Sequence, residues 1–285
     1  MKILIVGDEN NFKKSKLYKT LVPKKKKNNI EITKIYDNSC KIGIKWFCNE
    51  LVTPVDEKLC KTEIKIINKD FQSQDRYFLE KFHIKAFGYG INIDPLTYKG
   101  KIFRKGRSHK FKFLNIPENL DNDYHNKNND TFYFKEKNGV RYMTFMGPID
   151  KRDVNSVYQK NIDRKIGKNK YQDYRLTVID RKPFILLDTV HEDFVAHSIK
   201  KKKIIAIKPS VFFKKKDLES IEKYINLINL DYGDLDLIVD KNDNDKIYVI
   251  DVNNGPMNGG STPKHWYKDC WDEYINQINK MLLIE

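Results

Sequence analysis

The sequence has no apolar run long enough to cross a membrane. A transmembrane helix needs about 18 or more consecutive apolar residues, and no such stretch occurs among the 285 residues. The short apolar run at residues 3–6 ends at Gly7, and it lacks the long apolar core and the small-residue cleavage site of a signal peptide. We therefore expect no membrane partner and a cytoplasmic location.

Cysteine is scarce, and its spacing argues against the common cysteine-based sites. The chain has four cysteines and no CxxC pair. Disulfide frameworks are typical of small secreted chains, and the histidines do not lie at zinc-finger spacing from the cysteines. We therefore predict reduced thiols and no zinc site. The cysteines are Cys40, Cys48, Cys60 and Cys270.

A dinucleotide fingerprint is also missing. The first apolar run is followed by Gly7-Asp8-Glu9-Asn10, whereas the Gly-rich turn of a dinucleotide-binding unit reads GxGxxG at this point. No internal repeat is visible either. The residues after the first strand therefore give no sign of NAD or FAD binding.

Negative charge is in deficit: 54 Lys and Arg stand against 39 Asp and Glu, which gives a net charge of +15. A basic surface of this size could bind nucleic acid or phosphorylated ligands. The lysines, however, form scattered runs at 24–27, 200–203 and 214–216. A chain-wide bias toward Lys, Asn and Ile, whose codons are A/T-rich, explains them better. Nucleic acid is therefore not the expected partner, although it stays open as an alternative.

The remaining composition is that of a globular protein, with 40% hydrophobic residues, 16 Tyr and 16 Phe. We divide the chain into a small α/β domain at 1–93, a turn-rich and strand-rich region at 94–165, and a C-terminal region at 166–285. The predicted strands lie at 3–6, 30–35, 101–104, 131–134, 141–145, 174–179, 184–187, 235–239 and 247–250. The other predictions are helices at 42–52, 217–230 (capped by Asp217) and 271–283, and a loop or lid at 115–130.

The strongest chemical signal is a predicted β-hairpin with acidic residues inside apolar strands. Asp234 and Asp236 alternate with leucines, and Asp251 and Asn253 alternate with Ile250 and Val252. Side chains two apart on a strand share a face. If the strands pair, these oxygen donors converge, and hard oxygen ligands of this kind suit Mg²⁺. A solvated hairpin of ordinary turn formers is the alternative, but it fits Asp236 and Asp251 poorly because both lie between strand hydrophobes.

This hairpin resembles the metal-binding end of ATP-grasp enzymes, the superfamily of glutathione synthetase and D-alanine–D-alanine ligase. There, an acidic residue in one strand is followed after a hairpin by an acid-x-Asn motif and a Gly/Pro turn. Asp236 matches the first acid, Asp251 and Asn253 match the pair, and Gly255-Pro256 matches the turn. Many members have Glu at the position of Asp251, and the shorter Asp side chain makes bridging of two metals less certain.

Three further segments follow the family pattern. Residues 158–162 resemble the hinge strand whose backbone pairs with adenine, which assigns nucleotide binding to Gln159, Lys160, Asn161 and Ile162. Asp173-Tyr174-Arg175 resembles the acid-x-Arg segment whose arginine reaches the triphosphate or the acyl phosphate, and Arg175 is therefore the candidate catalytic residue. Residues 94–105 resemble the entry to the ATP-grasp domain, and Lys105 is the candidate phosphate-side lysine. A second ATP lysine and a phosphate loop are not identifiable.

The resemblance implies an ATP-grasp fold of class α/β (α+β), in which two subdomains clasp ATP behind a small α/β domain. It implies an ATP-dependent ligase with ATP and Mg²⁺ as cofactors and Mn²⁺ as an alternative cation. The carboxylate of a small molecule or peptide would become an acyl phosphate, which an amine, a thiol or another nucleophile then attacks. No Ser-His-Asp arrangement is required for this chemistry. A homodimer is compatible with the superfamily.

Two other functions stay open at this point. The first is a basic nucleic-acid-binding protein, which the net charge and the interleaved aromatic residues favour. The second is a degenerate ATP-grasp domain that binds nucleotide without ligase activity, which the missing second lysine and phosphate loop favour.

Overall fold

Within the residues that it describes, the computed structural model shows three β-sheets with packed helices, which confirms the predicted α+β fold class. The predicted loop at 115–130 and the turn at Gly255-Pro256 lie outside the residues that it describes. Those residues are 2–7, 12–13, 15, 17–21, 30–46, 64–71, 75–106, 131–137, 140–147, 156–168, 170–191, 203–254 and 270–283.

The first sheet is parallel and lies in the N-terminal region. Its order is β2-β1-β3-β4, with β1 at Lys2–Gly7, β2 at Glu31–Thr33, β3 at Cys40–Trp46 and β4 at Lys65–Ile67. The helix predicted from residue 42 is wrong over 42–46, because this segment is strand β3. Its side chains are buried on both faces, and such strands read as near-continuous apolar runs without the alternation expected of a half-exposed strand.

The second sheet is mixed and contains the predicted hinge. Its order is β7-β6-β5-β8, and only the β5–β6 pair is parallel. The strands are β5 at Ile102–Gly106, β6 at Thr131–Lys137, β7 at Val140–Gly147 and β8 at Ser156–Lys160.

The third sheet is antiparallel and carries the acidic hairpin. Its order is β12-β11-β10-β13-β14, and β9 pairs with the start of β10. The strands are β9 at Lys165–Gly167, β10 at Lys170–Ile179, β11 at Lys182–His191, β12 at Lys203–Ile207, β13 at Tyr232–Asp240 and β14 at Lys246–Asn253. The predicted antiparallel pairing of β13 with β14 is confirmed.

The helices whose two ends both lie in the described part of the chain are α1 at Arg76–Phe87, α2 at Pro209–Phe212, α3 at Lys215–Leu227 and α4 at Trp271–Met281. The prediction that Asp217 caps α3 is wrong, because Lys214 occupies the N-cap position without a side-chain bond. Asp217 lies instead in the first turn, where a carboxylate is favourable beside the positive end of the helix dipole. None of the helices within the described ranges combines the length and the apolar character that crossing a membrane requires.

Two apolar cores cover opposite faces of the third sheet. One core contains residues of the first sheet, of β10 and β11, and of α4, and it includes Trp46, Leu187 and Tyr274. The other contains α1 and α3 packed on the sheet, and it includes Leu79, Ile221 and Leu235. Because both cores contain residues from more than one of the three proposed regions, the boundaries at 93 and 165 stay predictions.

Asn68 joins the first sheet to the strands of the acidic hairpin. Its side chain is fully buried: the amide oxygen accepts from the backbone N–H groups of Asp231 and Tyr232, at 2.9 Å each, and the amide nitrogen donates to the carbonyls of Tyr232 and Asn254. The residue also has a φ of 60°, a left-handed conformation that Asn tolerates better than most residues. One side chain thus forms hydrogen bonds with backbone groups at the start of β13 and just after the end of β14.

We predict that Asn68→Ala lowers the free energy of unfolding by about 2–4 kcal/mol, because it leaves several buried backbone N–H and C=O groups without hydrogen-bond partners. Urea unfolding measures this loss. The matched control is Asn244→Ala, since Asn244 has a similar φ of 53° but lies exposed in the hairpin turn. The control should cost only the backbone strain, about 1 kcal/mol. Equal losses in the two variants would show that the buried hydrogen bonds contribute nothing.

Helix α1 and the turn after it cover the outer edge of β14. The Val249 N–H donates to Nε2 of His83 at 3.2 Å, and the other ring nitrogen of His83 lies 2.8 Å from the Tyr89 carbonyl, to which it donates. The Tyr89 hydroxyl both donates to the Ile247 carbonyl and accepts from the Ile247 N–H. His83 is therefore a neutral ring, and burial lowers its pKa to about 4 although the hydrogen bond to Tyr89 acts to raise it.

We predict that His83 makes stability depend on pH. Because its pKa falls from 6.5 to about 4 on folding, its contribution is complete above pH 6.5 and is lost as the pH falls through 4. The stability advantage of the wild type over His83→Gln should therefore shrink by up to about 3 kcal/mol between pH 7 and pH 4. Denaturant unfolding across this range measures it. A difference that stays constant with pH would contradict the assignment.

Candidate active site

Two rows of directly opposed residues cross strands β10, β13 and β14 and build the candidate site. The first row is Arg175, Asp236 and Asp251, and the second row is Thr177, Asp234 and Asn253. Residues directly opposite each other on antiparallel strands point to the same face, as do residues two apart along one strand. All six side chains therefore share one face of the sheet, which brings together the predicted metal ligands and the predicted arginine.

A β-bulge places Asp251 on this face. Between the Leu237–Val249 pair and the Asp236–Asp251 pair the register shifts by one residue, and Ile250 is the extra residue of β14. Before the bulge, Val249 packs in the apolar core on the opposite face; after it, that position is taken by Val252. Without the extra residue, simple alternation would turn Asp251 toward the apolar core.

The first row is held by charge-assisted hydrogen bonds. Nε of Arg175 donates to Oδ1 of Asp236 at 2.7 Å, and Nη2 donates to Oδ2 at 3.3 Å. The amide of Asn253 approaches the same carboxylate, with Nδ2 at 3.4 Å from Oδ2. A guanidinium fork of this kind fixes the plane of a carboxylate. Both side chains remain about a quarter exposed, so the pair is accessible from the face of the sheet.

The second row is buried and supports the first. The Thr177 hydroxyl donates to Oδ1 of Asp234 at 2.9 Å, and Oδ2 of Asp234 lies 3.9 Å from Nε of Arg175. Asp234 is fully buried. Asp234 thus contacts Arg175 from the buried side and helps to orient it, but it is poorly placed to contact a ligand itself.

Helix α1 brings a second arginine to the site. Nη2 of Arg76, in the first turn of α1, donates to Oδ2 of Asp251 at 2.6 Å. The exposed fractions are 10% for the Arg76 side chain and 13% for that of Asp251, so this ion pair is largely withdrawn from water. No local pattern singled out Arg76, because it lies 175 residues from Asp251 in the chain and precedes the region that resembles the ATP-grasp motifs.

Lys105 contacts the bulge from strand β5. Its ammonium group donates to the Ile250 carbonyl at 3.4 Å. Desolvation and, to a smaller extent, the cation of Arg76 lower the pKa of Lys105, and the carboxylates of Asp251 and Asp236 act to raise it; the resulting pKa is about 8. The predicted phosphate-side lysine therefore lies beside the predicted metal ligands.

The predicted hinge residues lie near the far end of the hairpin. Nζ of Lys160 donates to Oδ2 of Asp240 at 2.8 Å, and Ile162 packs with Ile238 and Tyr248 on the same side of the hairpin as the acidic residues. Gln159 is buried, and its side-chain amide donates to Asn92 at 3.2 Å.

Two backbone N–H groups of the predicted hinge already form hydrogen bonds within the protein. The Lys160 N–H donates to the Ile91 carbonyl, and the Asn161 N–H donates to the Lys101 carbonyl, at 2.9 Å each. These two amides are therefore not available to adenine in this conformation, and a nucleotide would have to use other hinge groups or displace these bonds.

The donor set fits a magnesium ion that also binds phosphates. Across the described ranges, no group of three or more His, Cys, Asp or Glu side chains is arranged to hold a metal. Two carboxylates (Asp236 and Asp251) and one amide (Asn253) share the face. Mg²⁺ typically takes one or two carboxylates and completes its shell with water and substrate phosphates. An all-protein cage is not needed for that mode of binding.

Comparison with solved structures identifies ATP-grasp ligases, while no protein-family model and no curated protein sequence matches the chain. The ATP-grasp ligase PsnB, complexed with minimal precursor, aligns with a TM-score of 0.54 at 12% identity over 98% of both chains. D-alanine–D-alanine ligase from Bacillus anthracis aligns with a TM-score of 0.55 at 14% identity over 99% of this chain and 95% of that chain.

A third similar structure is the macrocyclase MdnC from Microcystis aeruginosa MRC, bound with the precursor peptide MdnA. It aligns with a TM-score of 0.53 at 9% identity over the full length of both chains. At these identities the similarity concerns the arrangement of helices and strands. The chain therefore has the ATP-grasp fold that its C-terminal motifs predicted.

Proposed function

We propose that this protein is an ATP- and Mg²⁺-dependent ligase that activates a carboxylate as an acyl phosphate and joins it to an amine, a thiol or another nucleophile. The observation that carries the proposal is the row formed by Arg175, Asp236 and Asp251. A guanidinium group and two carboxylates occupy opposed positions on three paired strands, on a partly exposed face.

Asp236, Asp251 and Asn253 would hold Mg²⁺, or Mn²⁺ in its place. The bound ion supplies positive charge at the β- and γ-phosphates, where negative charge must be stabilised during phosphoryl transfer. The protein's part is to fix the two carboxylates, which it does through the strand register and the bulge at Ile250.

Arg175 and Lys105 would bind the transferring phosphoryl group. The Arg175 fork can bind two oxygens at once. Asp234 lies beside it on the buried side, and Thr177 holds Asp234 through a hydrogen bond. Lys105 acts as a point charge beside the bulge. Because its pKa is about 8, the lysine is mostly charged at neutral pH and can pair with a phosphate oxygen.

Gln159, Lys160, Asn161 and Ile162 would bind the adenosine end of the nucleotide. Lys160 contacts Asp240, which lies four residues from Asp236 on β13. Four residues of strand correspond to about 13 Å, so the hinge and the metal ligands are separated along the sheet in the way that the two ends of an extended nucleotide require.

The acid substrate is a small molecule or a peptide. Solved structures of similar fold include a D-alanine–D-alanine ligase with ATP, a ligase with minimal precursor and a macrocyclase with a precursor peptide. These names support a carboxylate substrate and leave both size classes open. A location in the cytoplasm and a homodimeric state stay predictions.

The degenerate nucleotide-binding domain is the second candidate, and the two hinge amides already bonded to Ile91 and Lys101 favour it. Isothermal titration of ATP with Mg²⁺, together with a phosphate-release assay over candidate acids and amines, separates it from a ligase. Binding without phosphate release under any substrate pair would favour the degenerate domain. Salt-sensitive nucleic-acid binding without ATP turnover would favour the basic nucleic-acid-binding alternative.

We predict that Asp236→Ala abolishes ATP turnover while the protein remains folded. The isosteric Asp236→Asn should lower turnover by about 100-fold or more, because the metal loses a charged ligand and Arg175 loses its resident partner. Phosphate release measures turnover, and circular dichroism checks the fold.

The matched control is Asp180→Asn, which removes the charge of an exposed aspartate that pairs only loosely with Lys65, at 3.9 Å. Its turnover should equal that of the wild type. Normal turnover by a folded Asp236→Ala protein would refute the assignment of the site.

A further inference from the structure

Helix α1 carries a carboxylate, that of Glu80, whose hydrogen bonds lead to the predicted hinge. One of its oxygens, Oε1, accepts from the backbone N–H groups of Ile91 and Asn92, at 2.7 Å and 2.8 Å. Burial raises the pKa of Glu80, although these two hydrogen bonds act to lower it. A partly buried carboxylate is unfavourable unless it is hydrogen-bonded, so the two N–H groups stabilise Glu80 in this position.

The turn between α1 and Ile91 is shaped around this carboxylate. Gly88 follows the helix with a φ of 83°, and a Cβ at Gly90 would lie 2.2 Å from Oε1 of Glu80. That distance is far below a normal contact between non-bonded atoms, so a side chain at residue 90 would push the carboxylate away from the two N–H groups. Glycine at this position therefore permits the direct contact of Glu80 with the backbone after the turn.

Residues 91–93 run along the outer edge of β8, the strand that leads into the predicted hinge. The Lys160 N–H donates to the Ile91 carbonyl, and the Ile93 N–H donates to the Tyr158 carbonyl, at 2.9 Å each. Strand β8 has β5 on its other edge. Because backbone hydrogen bonds on both edges determine where a strand lies, the position of the hinge depends on the segment that Glu80 holds.

Side chains reinforce this pairing. Asn92 lies directly opposite Gln159 and accepts a hydrogen bond from its amide at 3.2 Å. Ile91 and Ile162 are both buried in one small apolar cluster. Residues 91–93 are thus joined to Gln159 and Lys160 by hydrogen bonds and to Ile162 by apolar packing, and these are three of the four residues that we propose to bind adenosine.

We propose that Glu80 is a positioning residue for the adenosine end of the site, because it holds residues 91–93 against β8 and thereby fixes the hinge where the nucleotide binds. This inference rests on the proposed function. Glu80 acts through two backbone N–H groups and not through contact with the nucleotide. The metal ligands and Arg175 lie on a different sheet, so the loss of Glu80 should weaken the binding of adenosine and spare the binding of phosphates.

The test compares two ligands of Glu80→Met, which keeps the length of the side chain and removes its oxygens. Isothermal titration calorimetry measures the affinity for a non-hydrolysable ATP analogue and for inorganic tripolyphosphate, each with Mg²⁺. The variant should bind the ATP analogue about tenfold or more weakly, since a displacement of about 1 Å is enough to spoil a positioned contact. Its affinity for tripolyphosphate should stay within about twofold of the wild-type value.

Two further variants separate positioning from a general loss of stability. Glu80→Gln removes the charge and keeps an oxygen with two lone pairs, which can accept from both N–H groups. It should restore the affinity for the ATP analogue to within about threefold of the wild-type value. Asp231→Leu removes another partly buried carboxylate that accepts from a backbone N–H, that of Asn68 at 2.6 Å. It should lower the stability to urea and change neither affinity.

Gly90→Ala displaces the Glu80 carboxylate without removing it, and it carries the test if Glu80→Met fails to fold. Gly90, unlike Gly88, does not have a positive φ, so its backbone suits alanine, while the added Cβ would meet Oε1 of Glu80. This variant should show the same selective loss of affinity for the ATP analogue.

A selective loss for the ATP analogue in Glu80→Met or Gly90→Ala, with recovery in Glu80→Gln, would support the positioning role. Equal losses for the two ligands would overturn it, since Glu80 would then only stabilise the fold, and so would unchanged affinities. If the wild type binds tripolyphosphate as tightly as the ATP analogue, the hinge contributes nothing and the role of Glu80 fails while the phosphate site stands. If the wild type binds neither ligand, the proposed function itself fails.

Discussion

The bulge at Ile250 lets one strand serve both an apolar core and a polar site. Up to Val249, β14 directs every second side chain into the core shared with α1 and α3; after the bulge, Val252 takes over that position and Asp251 faces the site. The same irregularity leaves the Ile250 carbonyl to accept from Lys105. The orientation of Asp251 toward the site and the contact of Lys105 with the Ile250 carbonyl both depend on this one extra residue.

The chemistry of the site comes from elements far apart in the chain that meet on one sheet face. Strand β10 contributes Arg175, β5 contributes Lys105 and α1 contributes Arg76, each directed at the acidic hairpin. Charges of both signs are therefore balanced before any ligand binds. The pairing matters because a partly buried charge left without its partner is strongly destabilising.

Local sequence patterns predicted the parts of the site that depend on alternation. The strands of the hairpin, their antiparallel pairing and the shared face of Asp234 and Asp236 followed from period-two spacing. The bulge did not, because Ile247 to Val252 reads as an ordinary apolar strand and the shift is visible only against β13. Helix α1 was missed for a related reason: its weakly amphipathic sequence matters through contacts with β14, which lies more than 150 residues away. The helix expected from residue 42 failed because a strand buried on both faces lacks a clear period.

The docking of α1 along β14 also decides how a partner chain can approach. An exposed strand edge invites another extended chain to join the sheet through its backbone. Here the outward N–H groups of Ile247 and Val249 already donate to Tyr89 and His83. An extended polypeptide cannot add as a neighbouring strand there without displacing the helix. The open approach to Arg175 and Asp236 is therefore over the face of the sheet, where both side chains are partly exposed.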